Sequence, residues 1–305
     1  MSLEAREDVT RHVPRAAGAD RVLSIGREAN SRGASAPFIL RVRRRGAGAV
    51  LAVLLSAGGA NAAKVACGNY HTCAIRDDGN VWCWGTNQGG QLGMGSTGGS
   101  SANPVGPVDL GAGRTAKAIS AGPSNNCVIL DDDTLKCWGS GYGGQLGYGD
   151  STDRYSPTAV DPTNLGAGVK SVAAGQEHTC AVLNDGSLKC WGNGLYVSLG
   201  YGDNSYRYTP PADNVNLGAG RTAKSVSATY RHTCVILNDD TLKCYGTNGY
   251  AQLGYGDTTQ RTVPDASAID LGSGKTATSV STGSDTMSND FTCAERREFE
   301  MFRHK

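Results

Sequence analysis

Eight of the ten cysteines fall into four pairs with constant spacing: Cys73 with Cys83, Cys127 with Cys137, Cys180 with Cys190, and Cys234 with Cys244. A histidine stands two residues before the first cysteine of three pairs, at His71, His178 and His232, and Asn125 takes that place in the other. Thiols and imidazoles in this pattern can bind a metal, carry out nucleophilic chemistry or oxidise to disulfides. A structural zinc needs four donors converging on one point, and the gap between paired cysteines fits none of the usual finger spacings. Copies in successive units would also be held apart, so neither a metal nor another cofactor is expected. For nucleophilic chemistry there is no Ser-His-Asp order with supporting context, no HExxH, and no carboxylate pair distinguishable from turn acids. The stretch GSGKT at Gly272 imitates the end of a phosphate loop, but Ile269 stands where that motif needs its first glycine. The expectation is a protein that is not an enzyme.

Disulfides remain, and the flanking residues say how they form. In TCAIRDDGNVWC, Asp78 lies midway between Cys73 and Cys83, and Asp132, Asp185 and Asp239 lie midway in the other units. Asp, Asn and Gly at these centres suit tight hairpin turns, and the flanks carry β-branched and aromatic residues. Residues equidistant from a hairpin turn face each other at a Cα separation of about 4.5 to 5.5 Å, within disulfide range. Each unit can therefore close its own bridge. The same positions also suit reduced thiols packed as small apolar groups. Cys67 and Cys293 have no symmetric counterpart and either bridge the two ends or stay free.

The elements that position these hairpins recur with a period of 53 or 54 residues, read from the first cysteine of each pair. Each unit opens on a short apolar stretch (KVACG, AISAG, SVAAG, SVSAT), runs through the hairpin to Trp-Gly or Tyr-Gly, and continues into a Gly-rich loop such as GYGGQLGYGD. A connector with a candidate fourth strand, as in TPPADNVNLGAG, completes it. Four short strands per period give one blade of an all-β propeller. The units are 64–116, 117–169, 170–223 and 224–276, with the opening strand of a fifth at 277–283 and a divergent tail at 284–305. Four units and a fraction imply a propeller that is incomplete or irregularly closed, with self-association through open ends. Trp84, Trp138, Trp191 and Tyr245 recur at one phase and are read as blade-packing residues, the alternative being a ring of stacking platforms. Asp150, Asp203 and Asp257 of the repeated GYGD are either turn acids or calcium ligands.

Residues 1–45 carry ten arginines against five acids, a charge of +5, which leaves −4 on the remainder. A mildly acidic repeat region argues against nucleic acid as a partner, because phosphate neutralisation needs a basic surface. Residues 1–40 are expected to be disordered. Residues 41–63 order an arginine cluster, a short apolar run from Ala47 to Leu55 and Ala60-Asn61-Ala62, the pattern of an export signal cleaved near Ala62. The apolar run is too short for a membrane span. Together with the paired cysteines it points to a secreted or cell-surface protein, the alternative being cytoplasm or nucleus if the segment is unused.

The script HTCAI, acidic turn, VWCWGTNQGGQLG resembles the regulator of chromosome condensation repeat, over residues 64 to about 283. The resemblance implies a propeller, usually of seven blades, and no single activity. Relatives include an exchange factor for the small GTPase Ran and a secreted bacterial inhibitor of β-lactamases, which share the fold and not the function. The function expected is therefore a protein-binding module, its partner unspecified, with guanine-nucleotide exchange on a small GTPase as the alternative. Tyr142, Tyr196, Tyr206, Tyr208 and Tyr250 fall in the propeller-face loops and are the candidate partner-binding residues, unless they pack on their own loops.

Overall fold

The computed structural model describes residues 64–157, 165–284 and 290–298. The expected disordered extension 1–40 and the signal-like segment 41–63 lie outside the described residues. Within them the chain is all-β, in five small antiparallel sheets that follow one another along the sequence. Blade 1 holds β1 (Val65–Cys67), β2 (His71–Ile75), β3 (Val81–Thr86) and β4 (Ser100–Val105). Blade 2 holds β5 (Ala116–Ala121), β6 (Asn125–Leu130) and β7 (Leu135–Gly139), and blade 3 holds β8 (Val169–Ala174), β9 (His178–Leu183) and β10 (Leu188–Gly192). Blade 4 is β11 (Ala223–Ala228), β12 (His232–Leu237) and β13 (Leu242–Gly246), and blade 5 is β14 (Lys275–Ser284) with β15 (Asp290–Glu298). No described helix is long and apolar enough to cross a membrane.

The second and third strands of each full blade form the hairpin that the turn chemistry predicts. Gly79, Asp133, Gly186 and Asp240 occupy the same turn position, all at positive φ between 64° and 85°. Glycine reaches that region freely, and aspartate is among the few other residues that tolerate it. The register sets each cysteine opposite its partner. The sulfurs of the four pairs lie at bonding distance, 2.12, 2.10, 2.10 and 2.08 Å along the chain. On the loop-closure estimate each such bridge stabilises its hairpin by about 3 kcal/mol. Cys67 and Cys293 are exposed and unbridged.

Blades pack face to face in sequence order. One cluster joins Val81, Leu92 and Leu110 of blade 1 to Ile119, Val128 and Trp138 of blade 2. The next joins Leu135, Leu146 and Leu165 to Val169, Leu183 and Trp191, and a third joins Val182, Leu199 and Leu217 to Val235, Leu237 and Tyr245. The fourth sets Leu242 and Leu253 of blade 4 against Ala277 and Val280 of blade 5. None of these clusters joins blade 5 to blade 1. Strand burial records the same order: β6, β9 and β12 are buried at every position, because neighbours cover both faces. In β2 buried and half-buried residues alternate, since among the described residues no blade covers the outer face of blade 1.

Two features differ from the sequence reading, each for a local reason. Among the described residues a fourth strand forms only in blade 1, where Cys83 pairs with Val105. In blades 2, 3 and 4 the hydroxyls of Tyr148, Tyr201 and Tyr255 accept the backbone N–H of Cys137, Cys190 and Cys244. Single bridges from Gly139, Gly192 and Gly246 to Arg154, Arg207 and Arg261 complete that edge. Blade 1 has Met94 at the tyrosine position and cannot do this, so it recruits β4. The second difference concerns the segment set apart as a tail from residue 284. Its residues 290–298 form β15, with Cys293 opposite Ser281 as Cys234 is opposite Ser227. Residues 291–294 read FTCA, a likeness of the HTCA of the repeats that falls late for the repeat spacing, and a longer connection after β14 brings it back into phase.

Candidate functional site

The buried histidines were the first candidates for chemistry. His71 Nε2 lies 2.9 Å from Asn126 Oδ1 in the next blade, and the Asn126 amide donates to Gln91 O at 2.8 Å. His178 Nε2 lies 2.8 Å from Thr233 Oγ1, whose hydroxyl donates to Ser198 O. His232 Nε2 meets Thr292 Oγ1 in the same way, and Thr292 donates to Gln252 O. With the hydroxyl proton spent on a carbonyl, the imidazole must donate from Nε2. It is therefore no base toward the threonine, even where Asp290 Oδ2 lies 3.5 Å from His232 Nδ1 and completes a hydroxyl–imidazole–carboxylate line. The relay is a strap between blades. Burial drives the His178 pKa down to about 3 and lowers that of His71, so both remain neutral at ordinary pH. Asn125, shorter than histidine, leaves both side-chain polar atoms without partners.

The GYGD acids behave as turn acids. Asp150, Asp203 and Asp257 each pair with the arginine four residues on, Arg154, Arg207 and Arg261, at 2.7, 2.9 and 2.9 Å. They also accept the backbone N–H of Thr152, Ser205 and Thr259. The arginine bonds, then those backbone bonds, hold the Asp203 and Asp257 carboxyls at about 2. No cluster of His, Cys, Asp or Glu able to hold a metal occurs among the described residues.

The loops after β7 and β10, with the corners that precede β9 and β12, carry an aromatic surface. Tyr142, 53% exposed, donates its hydroxyl to Glu177 Oε1 at 2.9 Å. Asn193 also donates to Glu177, from the other side. Tyr196 and Tyr230 share a hydroxyl contact of 3.0 Å with ring centroids 5.0 Å apart, and the Arg231 guanidinium lies over both rings. Tyr206 and Tyr208 stack at 5.8 Å and are 39% and 41% exposed. Tyr208 also seals onto the preceding loop, where a Cβ on Gly144 would stand 2.6 Å from its ring. Burial, reinforced by Glu177, pushes the Tyr142 phenol up; the Tyr196 hydrogen bond, then burial, pushes Tyr230 up to about 12. The Tyr142 and Tyr230 phenols are therefore protonated at neutral pH.

This surface brings together four of the five tyrosines singled out by sequence. Tyr250 sits at the Tyr196 position of blade 4, 70% exposed, with only its backbone N–H bonded, to Gln252 Oε1. Glu177, Tyr230, Arg231 and the exposed Leu195 were missed. Their signal was the corner dipeptide before each histidine or asparagine, which varies from unit to unit while the rest repeats: Asn69-Tyr70, Ser124, Glu177 and Tyr230-Arg231. The blade 3 loop departs furthest from the repeat. Gly90 and Gly144 take positive φ of 75° and 79° in blades 1 and 2 and Ala251 takes 57° in blade 4, whereas the β-branched Val197 holds the same place at 53°. A β-branched residue there costs of order 1–3 kcal/mol. Ser198 replaces the glutamine that elsewhere clamps the loop through the N–H of Gly89, Gly143 or Tyr250.

Comparison with known proteins agrees with this architecture. Models of the regulator of chromosome condensation (RCC1) repeat match residues 62–91, 116–145, 169–196 and 223–252, and a second model of that repeat matches 78–129 and 132–182. The ultraviolet-B receptor UVR8 of Arabidopsis thaliana is 35% identical over 204 residues, covering 66% of this chain and 45% of the receptor. The probable E3 ubiquitin-protein ligase HERC4 of Homo sapiens is 29% identical over 202 residues, 66% of this chain but 19% of the ligase. The chain thus spans less than half the length of either relative. Among solved structures, human WBSCR16 aligns with a TM-score of 0.66 at 22% identity, over 83% of this chain and 61% of that one. Yeast RCC1 (Prp20), solved with Kap60, aligns at 0.64 and 18%, over 87% and 63%. At those identities the structures attest the fold alone. Repeat, blade and comparison together place the chain in the regulator of chromosome condensation (RCC1) repeat family.

Proposed function

We propose that this chain is a non-enzymatic protein-binding module whose partner docks on the tyrosine face of blades 2 to 4, in an oxidising compartment outside the cytosol. The observation that carries the reading is the blade 3 loop. It gives up the glutamine that all three sister loops use, puts a β-branched residue where they have glycine or alanine, and sets Tyr196 and Leu195 beside Tyr206 and Tyr208. Strain retained at an exposed, aromatic loop is the mark of a surface kept for binding rather than stability. Tyrosine and arginine are also the side chains that dominate protein interfaces. Four cysteine pairs at bonding distance favour secretion or the cell surface. The receptor and ligase activities named for relatives belong to far longer chains, and the repeat region is what this chain shares with them. A yeast relative of this fold has been crystallised with Kap60, in keeping with protein recognition.

The test is site-specific photo-cross-linking in the producing cells. A benzophenone amino acid at Tyr206 should trap a discrete protein adduct, and the same group at Asp185, at the opposite end of blade 3, should not. The identified partner should lose at least about tenfold in affinity, roughly 1.4 kcal/mol, when Tyr206 and Tyr208 are both changed to alanine. Equal adducts at both positions, or unchanged affinity, would remove the proposal. Acceleration of fluorescent-nucleotide release from a Ran-like GTPase would favour the exchange-factor reading instead.

A further inference from the structure

One position of the repeat changes its chemistry from blade to blade while its neighbours stay nearly constant. It lies three residues before the first cysteine of each pair, where Tyr70, Ser124, Glu177 and Arg231 stand in blades 1 to 4. Blades 3 and 4 therefore set an acid and a base at equivalent places on adjacent corners of the tyrosine face. Asp290 has the place in blade 5, three residues before Cys293, but its carboxylate is fully buried against His232.

Glu177 and Arg231 are both half-buried, and among the described residues neither has an ionic partner. Each is nevertheless held in place. Tyr142 and Asn193 donate to the two oxygens of Glu177, so the carboxylate is fixed without being neutralised. After burial, the Glu177 charge is the next cause that raises the Tyr206 phenol, which puts carboxylate and phenol on one surface. The Arg231 guanidinium lies 4.9 Å from the Tyr196 ring centroid and 4.7 Å from that of Tyr230, and its Nε is buried without an acceptor. Arg114, Arg154, Arg207, Arg221 and Arg261 each pair with an aspartate, and Arg231 does not. Two opposite charges on one surface, each anchored by neutral neighbours and kept from the other, are pre-organised for ionic contacts outside the chain. The ordering cost of those contacts is already met.

We propose that the protein segment bound by the tyrosine face carries both an acidic and a basic side chain, its carboxylate on Arg231 and its ammonium or guanidinium on Glu177, an assignment that rests on this face being the docking site. Charge complementarity decides the occupant. A polyanion, nucleic acid included, would meet Glu177, and a polycation would meet Arg231. A wholly apolar segment would strip water from both charges and return nothing for it. A segment of mixed sign avoids all three costs. Because Nε is shut away, the carboxylate is taken end-on by the two terminal guanidinium nitrogens, in the paired geometry that favours arginine over lysine. Tyr206 and Tyr208, stacked and exposed, supply the apolar contact area.

The probe is a phage-displayed library of short random peptides, selected on the full oxidised chain and counter-selected on the chain carrying both Tyr206→Ala and Tyr208→Ala. Peptides that depend on the tyrosines should share an acidic and a basic residue at one fixed spacing. For a synthetic copy of such a peptide, Glu177→Gln and Arg231→Gln should each weaken binding about tenfold. Glu177→Gln should cost nothing further once the peptide's base is replaced by glutamine, and Arg231→Gln nothing further once its acid is, the coupling of two direct contacts. The peptide replacements alone, on the unaltered chain, should weaken binding by the same factor, so a folding defect in either variant leaves the test standing. Tyrosine-dependent peptides that lack the charge pair, or losses that simply add, would overturn the charge assignment and leave the docking face in place. No enrichment over the double-alanine chain would remove the docking face and the charge assignment with it.

Discussion

Truncating Trp191 tests the junction geometry, because the chain contains its own control in Trp84. Trp191 is fully buried, on Gly147 of the preceding blade, and donates to Gln145 O. An aromatic side chain of this size removes about 150–250 Å² from water. At about 25 cal/mol per Å² that is roughly 4–6 kcal/mol as an upper bound, and measured large-to-small changes of this kind cost about 3–5 kcal/mol. Gln145 O keeps its bond from Thr179, so no carbonyl is orphaned and the lost hydrogen bond adds only about 1 kcal/mol. Trp191→Ala should therefore cost about 4 kcal/mol. Trp84 is the same residue of the script, but it is half-buried and meets no glycine socket among the described residues, so Trp84→Ala should cost about 1 kcal/mol. Urea unfolding of the oxidised chain, followed by far-UV circular dichroism, gives the two values. Blade-resolved hydrogen exchange should show protection lost at the junction of blades 2 and 3 for Trp191→Ala only. Equal losses for the two variants would refute sequential packing of each blade's aromatic residue into the blade before it.

Val197→Gly should stabilise the chain by about 1 kcal/mol, since glycine takes positive φ without strain, and should weaken partner binding by freeing the Tyr196 loop; thermal melts and affinity measurements read the two effects separately. Acid should destabilise the chain well above the range where carboxylates titrate. The pKa of buried His178 is depressed to about 3, so below about 6.5 the unfolded chain takes up a proton that the folded chain refuses. The stability that His178 contributes is complete above that pH and falls by about 1.4 kcal/mol per unit as the pH drops toward the folded value. His71 shifts in the same direction. His178→Asn, borrowing the residue that blade 2 already uses, should reduce the slope of unfolding free energy between pH 6 and 4 by about one proton. An unchanged slope would count against a neutral, buried imidazole at that position.

Much of the fold was legible because the repeat reports on itself. Cysteines equidistant from an Asp-centred turn specify a hairpin register, and four copies exclude coincidence. The aromatic phase gave the packing residues, although not the glycine on which each one sits, since that contact crosses from one unit into the preceding one. The Tyr148, Tyr201 and Tyr255 hydroxyls, which take the place of a fourth strand, were also hidden. GYGD reads as a turn, and nothing local says that its tyrosine reaches back to a cysteine N–H. β15 escaped because its motif is displaced along the chain, and sequence phase cannot tell a longer connection from a broken repeat. The candidate surface was half visible. Loop tyrosines stand out, but Glu177, Tyr230 and Arg231 join them only through the contact of one blade's loop with the next blade's corner.

Both the blade architecture and the placement in an oxidising compartment rest on each unit closing its own bridge. The direct measurement is a peptide map of protein purified from its native source without reductant, with free thiols alkylated before digestion. The account predicts four linked peptides, Cys73 to Cys83, Cys127 to Cys137, Cys180 to Cys190 and Cys234 to Cys244, each within one hairpin. Alkylation of these eight cysteines, or bridges that run from one unit to another, would contradict it.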